Sequence, residues 1–387
     1  MFRKIIRVIN RKIQAMNDLK KFKKYIKDDS KYVFLISHNA DGAGGAPVVL
    51  YEYARYLKIK GYNVIFLVGK GGSLFLNAKV DNIKIFLMDY EYKKYIKEFN
   101  KIQVEYVIVN TLLGYNYIKE IQKNRKNKFK VIWWIHEEKR IIKKYKNMVP
   151  SKMNDNVNIM CVSDRIKIDM QNEIKNNFKY EIMYYGCNDG FLDSQYIKYL
   201  KEASKKESDK YIISVIGRIC ERKNQMQVIE AYNLIDEKIK SKIYINFVAG
   251  SYENEYMQRI NEKIKYIKNI DIIGPINRDD MYKVYADSDL IVCPSIDDPL
   301  PVVITEAMMY KKIFITSTET GQAKIIKDGI NGFIYDINST KNLMNKILKC
   351  YYKEYDKNIE ENERELFLKY FSLEHLKKQI DSISIEE

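Results

Sequence analysis

The sequence predicts an α/β protein of two domains, each built on a doubly wound, mostly parallel sheet. Three observations predict it. The chain has 387 residues, 46% of them hydrophobic, which suits two cores better than one. Short, continuously apolar runs alternate with stretches of helical periodicity, as strands buried on both faces alternate with crossover helices. Midway, the turn-rich Gly186–Gly190 and the charged stretch 201–210, KEASKKESDK, interrupt the alternation. Residues 190–210 therefore read as a linker between domains at 31–189 and 211–369.

Residues 1–27 carry ten Lys and Arg and one acid, Asp18. Their apolar residues fall at Phe2, Ile5, Ile6, Ile9, Ile13, Met16, Leu19, Phe22 and Ile26, a helical spacing with one apolar stripe and a basic remainder. Residues 1–30 thus read as a basic amphipathic extension. Two readings stand: a helix lying on an anionic membrane, or a helix packed on its own domain. Charge is uneven along the whole chain. Residues 1–189 hold 37 Lys and Arg against 19 Asp and Glu, a net of +18, whereas residues 190–387 net −2. Such an excess fits a nucleic acid, an anionic lipid or a phosphorylated substrate. No nucleic-acid motif accompanies it, so that partner is set aside.

No run of about 20 apolar residues exists to span a membrane, and the N-terminus lacks an apolar signal core. The five cysteines form no CxxC pair. Together these features predict a cytoplasmic protein with reduced thiols. With only His38, His136 and His375 to help, no metal site is expected.

In the first domain, Lys31 to Ser37 reads as the opening strand. The turn that follows, HNADGAGGAP, places Gly42, Gly44 and Gly45 where positive φ or close backbone approach would be allowed. Ala46 to Lys60 then reads as a helix whose first amides could face an anion. Strands recur near 63–68, 83–87, 105–109, 130–135, 157–162 and 181–184. His136 and Glu137 directly follow the VIWWI strand, at a carboxyl end, where open α/β sheets bind ligands.

The second domain opens with a strand at Tyr211 to Ile216. It runs into GRICERKN, Gly217 to Asn224, and then a helical stretch. A strand–loop–helix with Arg218 and Lys223 at its turn suits a diphosphate: the helix offers amides, Arg a planar fork of donors, Lys a mobile point charge. Taken alone, these are equally basic residues on a solvated loop. Further strands fit 243–248, 270–273, 290–293, 313–316 and 333–335. After the fourth comes DLIVCPSIDDPLPVVITEAMM, Asp289 to Met309. Asp298 lies in the loop beyond the strand and Glu306 in the early turns of a helix. Two carboxylates so placed could grip hydroxyls at two ends of one ligand, or be a loop acid and a helix-dipole acid. Asp287-Ser288-Asp289 spells a DxD triplet, but between a helix and a strand it reads as structural.

In this order the segments resemble the retaining glycosyltransferases of family 4, which have the GT-B architecture of two Rossmann-like domains facing a cleft. Asp298 and Glu306 stand in the E-x7-E motif and Gly217–Lys223 in a G-R-x4-K motif. Val248-Ala249-Gly250, Gly274–Tyr285 and Gly321–Tyr335 resemble the neighbouring signatures. The resemblance implies a transfer from a nucleotide-diphosphate sugar, bound by the second domain, to a glycan or lipid-linked acceptor at the first. It implies that Glu306 binds the ribose and Asp298 the sugar, that Arg218 and Lys223 steady the departing diphosphate, and that His136 lies near the transferred sugar. Gly44, Gly45 and Gly217 would line the donor, and no metal or cofactor is needed. Residues 370–387 would form a helix crossing back to the first domain.

Two departures from the pattern matter. Asp298 is one methylene shorter than Glu. Pro299 and Pro301 replace small residues and offer no N–H, so Val302 and Val303 must supply the donors. An epimerase of the same architecture, or a binding protein without turnover, remains as an alternative reading.

Overall fold

A computed structural model describes residues 2–27, 30–42, 44–124, 129–203 and 209–383 and, within the first helix, the side chains of Ile6 and of Val8 onward. The chain divides into two compact units, Met1–Asn188 with Leu373–Glu387, and Asp189–Ser372.

The first unit holds a seven-stranded sheet: β1 (Lys31–Ser37), β2 (Asn63–Val68), β3 (Lys84–Leu87), β4 (Gln103–Asn110), β5 (Lys130–Ile135), β6 (Val157–Cys161) and β7 (Tyr180–Ile182). Its order is β3-β2-β1-β4-β5-β6-β7, and every pair is parallel. The second unit repeats the plan with β8 (Tyr211–Ile216), β9 (Ile243–Val248), β10 (Ile270–Ile273), β11 (Leu290–Cys293), β12 (Phe314–Ser317) and β13 (Phe333–Tyr335), ordered β10-β9-β8-β11-β12-β13, again all parallel. In both sheets the strand order reverses beside the first strand, at β1/β4 and at β8/β11. Such switch points open a crevice at the carboxyl ends of the strands. The central strands are buried nearly end to end, for example Phe34, Leu35, Ile36 and Leu290, Ile291, Val292, because helices cover both faces.

Two boundaries differ from the sequence expectation. The described residues of the N-terminal segment are not a separate extension, and of its two readings the one packed on its own domain is seen. The helix Phe2–Tyr25 packs on the first unit, burying Ala15, Leu19 and Phe22. Phe22 meets Phe34, Phe86 and Tyr95 at ring-centroid distances of 6.2, 5.6 and 4.8 Å. The buried Asp18 carboxylate accepts from the Leu87 N–H at 3.1 Å, Arg11 pairs with Asp89 at 2.9 Å, and Lys23 with Glu98 at 3.0 Å. The single stripe seen in sequence therefore divides. Its later residues face the domain, whereas Ile6, Ile9, Ile13 and Met16 stay 43–52% exposed. The side chains of Phe2 and Ile5 lie outside the described residues.

Nor is 190–210 simply a linker. Ser194–Ala203 is a helix belonging to the second unit, and Tyr196 is buried against Tyr310. Residues 204–208 lie outside the described residues. Asp189, the first residue of this unit, is held by a bidentate ion pair with Arg364, which also donates to the Met309 carbonyl at 3.0 Å. At the far end two helices follow one another, the second inside the expected 370–387. Ile359–Tyr370 stays with the second unit, and Leu373–Ser382 returns to the first. There Leu373, Leu376 and Ile380 are buried, and Lys130 Nζ donates to the Ile380 carbonyl at 2.7 Å.

Glycine is required where strands end. Gly274 sits at φ +136°, and a Cβ there would lie 2.2 Å from the Ala249 carbonyl oxygen. The Ala-Gly end of β9 and the glycine after β10 thus touch backbone to backbone.

Candidate functional site

At the β8/β11 switch point, two loops are stitched together. Gly217 leaves β8 at φ +143°, a conformation open to glycine, and its N–H is bonded to the Val248 carbonyl. The chain turns through Glu221–Lys223 and Asn224, which is left-handed at φ 53°, into the helix Gln225–Asn233. Gln225 Nε2 donates to the Arg218 carbonyl at 2.9 Å and pins the loop to that helix. The loop after β11 comes alongside: the Ile296 N–H bonds to the Arg222 carbonyl, and Arg222 donates to the Asp297 carbonyl.

Asp298 lies at the centre. One carboxylate oxygen accepts from Lys223 Nζ at 2.6 Å and from Arg222 at 3.1 Å. Its backbone is bound on both sides to the segment after β12, through Glu319 and Gly321. Burial would raise the Asp298 pKa, but Lys223 and then Arg222 hold it below the ordinary carboxylate range. Burial likewise opposes charge on Lys223, yet Asp298 keeps its ammonium above its usual value. A buried pair with both charges compensated is costly to break from one side.

Arg218 stands apart. It is half-exposed and 3.9 Å from Glu253, so the cation that joins Lys223 at Asp298 is Arg222. The sequence offered three cations in eight residues, and the G-R-x4-K spacing selected the other two.

Glu306 lies in the helix Val302–Met309, whose N-cap is Pro301. Val302 and Val303 are its first residues, and their N–H groups precede any i−4 carbonyl of the helix. Gln322, in the Gly321–Tyr335 signature, ties this end down by donating to the Pro301 carbonyl and Thr305 Oγ1. The Glu306 side chain is 5% exposed and paired with Arg278. Its other oxygen accepts from Tyr285 Oη at 2.5 Å. The sequence places both in the Gly274–Tyr285 signature but gives neither a role, since they lie more than 20 residues before Glu306. The DxD triplet is structural: Asp289 accepts from the Ile212 N–H at 2.7 Å and Asp287 from Tyr199 at 2.8 Å.

The first unit gathers polar groups at its own switch point. His38 follows β1, Thr111 follows β4, and His136 and Glu137 follow β5. Thr111 Oγ1 lies 3.1 Å from His38 Nδ1. Thr111 adopts φ 74°, ψ 154°, an outlier for a β-branched residue. It is held there by Thr111 N–H donating to Trp134 O and Trp133 Nε1 donating to Thr111 O. Nothing in the sequence signals this strained threonine beside His38. Glu137, buried, accepts from the N–H groups of Leu112 and His136 at 2.8 and 3.1 Å. Burial raises its pKa despite these bonds. In the loop after His38, Gly42 is required by size rather than by positive φ. Gly44 has φ −89° as N-cap of the helix Gly45–Ile59, and Gly42 donates to Ser73 Oγ, where a Cβ would lie 2.5 Å away. Gly44 and Gly45 thus stand at the start of that helix, in the segment that follows β1 and His38.

Both histidines are neutral in the fold. Burial, then Lys70, lowers His38 to about 4, against a smaller opposing effect of Asp41. Burial, then His38, lowers His136 to about 3. The unfolded chain binds these protons near pH 6.5, so stability is present above that pH and is lost as pH falls toward 4. Each histidine contributes a slope of up to about 1.4 kcal/mol per pH unit. Urea unfolding of the wild type and of His136→Gln between pH 7 and 4.5 is expected to show a shallower slope in the variant; identical slopes would refute this.

Comparison with known proteins finds relatives of both units. A family model described as glycosyl transferases group 1 matches residues 197–366, and one described as glycosyl-transferase family 4 matches residues 29–176. A putative glycosyltransferase of Bacillus subtilis, EpsD, is 29% identical over 154 residues, 40% of each chain. An Escherichia coli protein named UDP-Gal:alpha-D-GlcNAc-diphosphoundecaprenol alpha-1,3-galactosyltransferase is 23% identical over 141 residues, 36% of each chain. The matches thus span about two-fifths of these curated relatives. Among solved structures, a Rickettsia africae glycosyltransferase superposes with a TM-score of 0.71 at 23% identity, covering 91% of this chain and 97% of that one. Anabaena Alr3699/HepE in complex with UDP-glucose gives 0.73 at 15%, covering 91% and 98%. With both units matched by family models, and with this likeness of fold, the chain belongs to the group 1 glycosyltransferases of GT-B type.

Proposed function

We propose that the protein transfers a sugar from a nucleotide-diphosphate sugar to a glycan or lipid-linked acceptor in glycoconjugate assembly, with retention at the anomeric carbon. The observation that carries this reading is the buried Lys223–Asp298–Arg222 cluster, set where the Gly217 loop meets the start of the Gln225–Asn233 helix. Lys223 and Arg218 stabilise charge building on the departing diphosphate, a task for which fixed cations need no metal or other cofactor. Asp298 takes the hydroxyls of the sugar and Glu306 those of the ribose, with Gly217, Val302 and Val303 supplying backbone contacts. His136, with His38 and Thr111, faces the acceptor, and the leaving phosphate accepts the acceptor's proton. Gly44 and Gly45, at the start of the Gly45–Ile59 helix, offer the donor a close backbone approach.

The acceptor side carries the positive charge. By its name, the E. coli relative acts on a diphosphoundecaprenol-linked sugar, and an acceptor of that class would suit the +18 of residues 1–189. The exposed apolar row Ile6, Ile9, Ile13 and Met16, flanked by exposed Lys12 and Lys20, would seat the first unit on an anionic bilayer at the cytoplasmic face. No helix of the described residues is long and apolar enough to cross a membrane.

Screening UDP-, GDP-, dTDP- and ADP-sugars by thermal unfolding tests the donor reading. One class is expected to stabilise the protein by about 2.7 kcal/mol at a hundred times its dissociation constant. Nucleoside diphosphate release should then require an acceptor and survive chelator, with the product anomer followed by NMR. Stabilisation without turnover on any glycan or lipid-linked acceptor would favour a binding protein, and release without an acceptor would favour an epimerase-like or hydrolytic activity. An inverted product would end the retaining mechanism.

A further inference from the structure

Glu306 is gripped before any ligand arrives. Its carboxylate is almost wholly buried, and each oxygen accepts from a different donor: one from the Arg278 guanidinium, the other from Tyr285 Oη. The two donors come from one short stretch. Arg278 begins the turn Arg278–Asp280, and Tyr285 lies in the helix Met281–Asp287 that follows directly. Tyr285 is fully buried and stacks on Tyr310 with ring centroids 5.1 Å apart, so its hydroxyl has little freedom. The Arg278 side chain, in contrast, is 48% exposed, which places this guanidinium at the open edge of the site.

A carboxylate has about four accepting positions, two on each oxygen. Two are occupied by these donors, which leaves one on each oxygen. The plane of the group is fixed as well, because a donor on each oxygen resists rotation about the terminal bond. The group that best satisfies such an acceptor is a pair of adjacent hydroxyls, one to each oxygen. A single hydroxyl would leave one buried lone pair without a donor, and that is penalised.

We propose that Arg278 and Tyr285 are positioning residues that hold the Glu306 carboxylate ready for a vicinal diol, the 2′,3′-hydroxyls of the donor's ribose, and so make the site select ribonucleotides over 2′-deoxyribonucleotides. This rests on the assignment of Glu306 to the ribose. Arg278 also compensates the buried charge, and its fork of donors maintains the alignment in a way a point charge does only in part.

Calorimetry with UDP and GDP, each beside its 2′-deoxy counterpart, tests the proposal. Wild type is expected to prefer the ribose form of the bound nucleotide by about tenfold or more, the effect of one hydrogen bond to a charged group. Arg278→Ala should weaken the ribose form by a similar factor, leave the deoxy form nearly unchanged, and so collapse the preference. Arg278→Lys should recover part of it, and Tyr285→Phe should lower it. In a Glu306→Gln background, Arg278→Ala should have no further effect. With sugar donor, KM should rise more than kcat falls. Unchanged preference in Arg278→Ala overturns the proposal, as does equal weakening of both forms, which would mean a direct contact elsewhere on the nucleotide. If Arg278→Ala does not fold, Arg278→Lys is the deciding variant: a preference identical to wild type overturns the proposal and a reduced one supports it. If Glu306→Gln itself binds both forms as wild type does, the ribose assignment fails first, a result distinct from the others.

Discussion

Lys223→Ala is expected to lower turnover about 10²-fold or more, the size of loss seen when one fixed partner of transition-state charge is removed. Lys223 Nζ is 2.6 Å from Asp298, in a side chain only 15% exposed. A charge so enclosed does not reorganise when the diphosphate departs, and there is little water to screen it. The same enclosure gives the substitution a second consequence. It strips Asp298 of its nearest cation, leaving Arg222 alone to compensate a buried carboxylate, and removing one partner of such a group costs several kcal/mol in the worst case. Activity must therefore be read per folded molecule.

The double variant Lys223→Ala/Asp298→Asn separates the two consequences. It should regain stability relative to Lys223→Ala, because the uncompensated charge is gone, yet recover no activity. Arg218→Ala should unfold like wild type, since Arg218 is half-exposed and its contact with Glu253 is 3.9 Å in solvent, where a pair contributes little. A Lys223→Ala protein with near-wild-type turnover would remove the diphosphate role of this loop. A double variant no more stable than the single one would show that Asp298 is adequately held by Arg222.

The strands were the most legible part of the chain. All thirteen lie where short apolar runs place them, because a parallel strand buried on both faces needs apolar residues throughout and shows no competing period. The site was legible at its scaffold: Gly217, Lys223, Asp298 and Glu306 stand on strand ends and helix starts that their own local sequence builds. What surrounds them was not. Arg222 and Arg278 stand on turns and Tyr285 on a helix, which meet their carboxylates only when the sheet closes. The strain at Thr111 depends on hydrogen bonds to Trp133 and Trp134, contributed by a neighbouring strand. The helix Ser194–Ala203 was hidden because the charged run after it dominates the local composition, although Tyr196 anchors it by packing on Tyr310. For the first helix, periodicity gave one stripe of apolar residues. Which part of that stripe meets the domain is decided by Phe34, Phe86 and Tyr95, all outside the helix.

Substitutions on the two faces of the first helix should therefore have opposite effects. Phe22→Ala is expected to destabilise the protein by about 3–5 kcal/mol, as loss of a fully buried aromatic side chain does. Phe22 is 0% exposed among three aromatic rings, and these cannot close the gap without moving strands. Ile9→Glu with Ile13→Glu should hardly change stability, because both side chains are about half-exposed. On phosphatidylglycerol vesicles the order reverses. The folded fraction of Phe22→Ala should bind, whereas the Ile9→Glu/Ile13→Glu protein should not. Its two new carboxylates are repelled by the lipid, and its apolar row no longer inserts. Each Lys or Arg near such a surface contributes about 1 kcal/mol, an attraction that decays within a Debye length of about 8–10 Å. Salt should thus release wild type only in part, the inserted isoleucines being insensitive to screening. Deleting the helix would not be informative, since it would strip the cover from Phe34 and Phe86 and unfold the unit for reasons unrelated to lipid. Wild-type protein that ignores anionic vesicles at low salt, or a double glutamate variant that still binds them, would leave the exposed row without a membrane role.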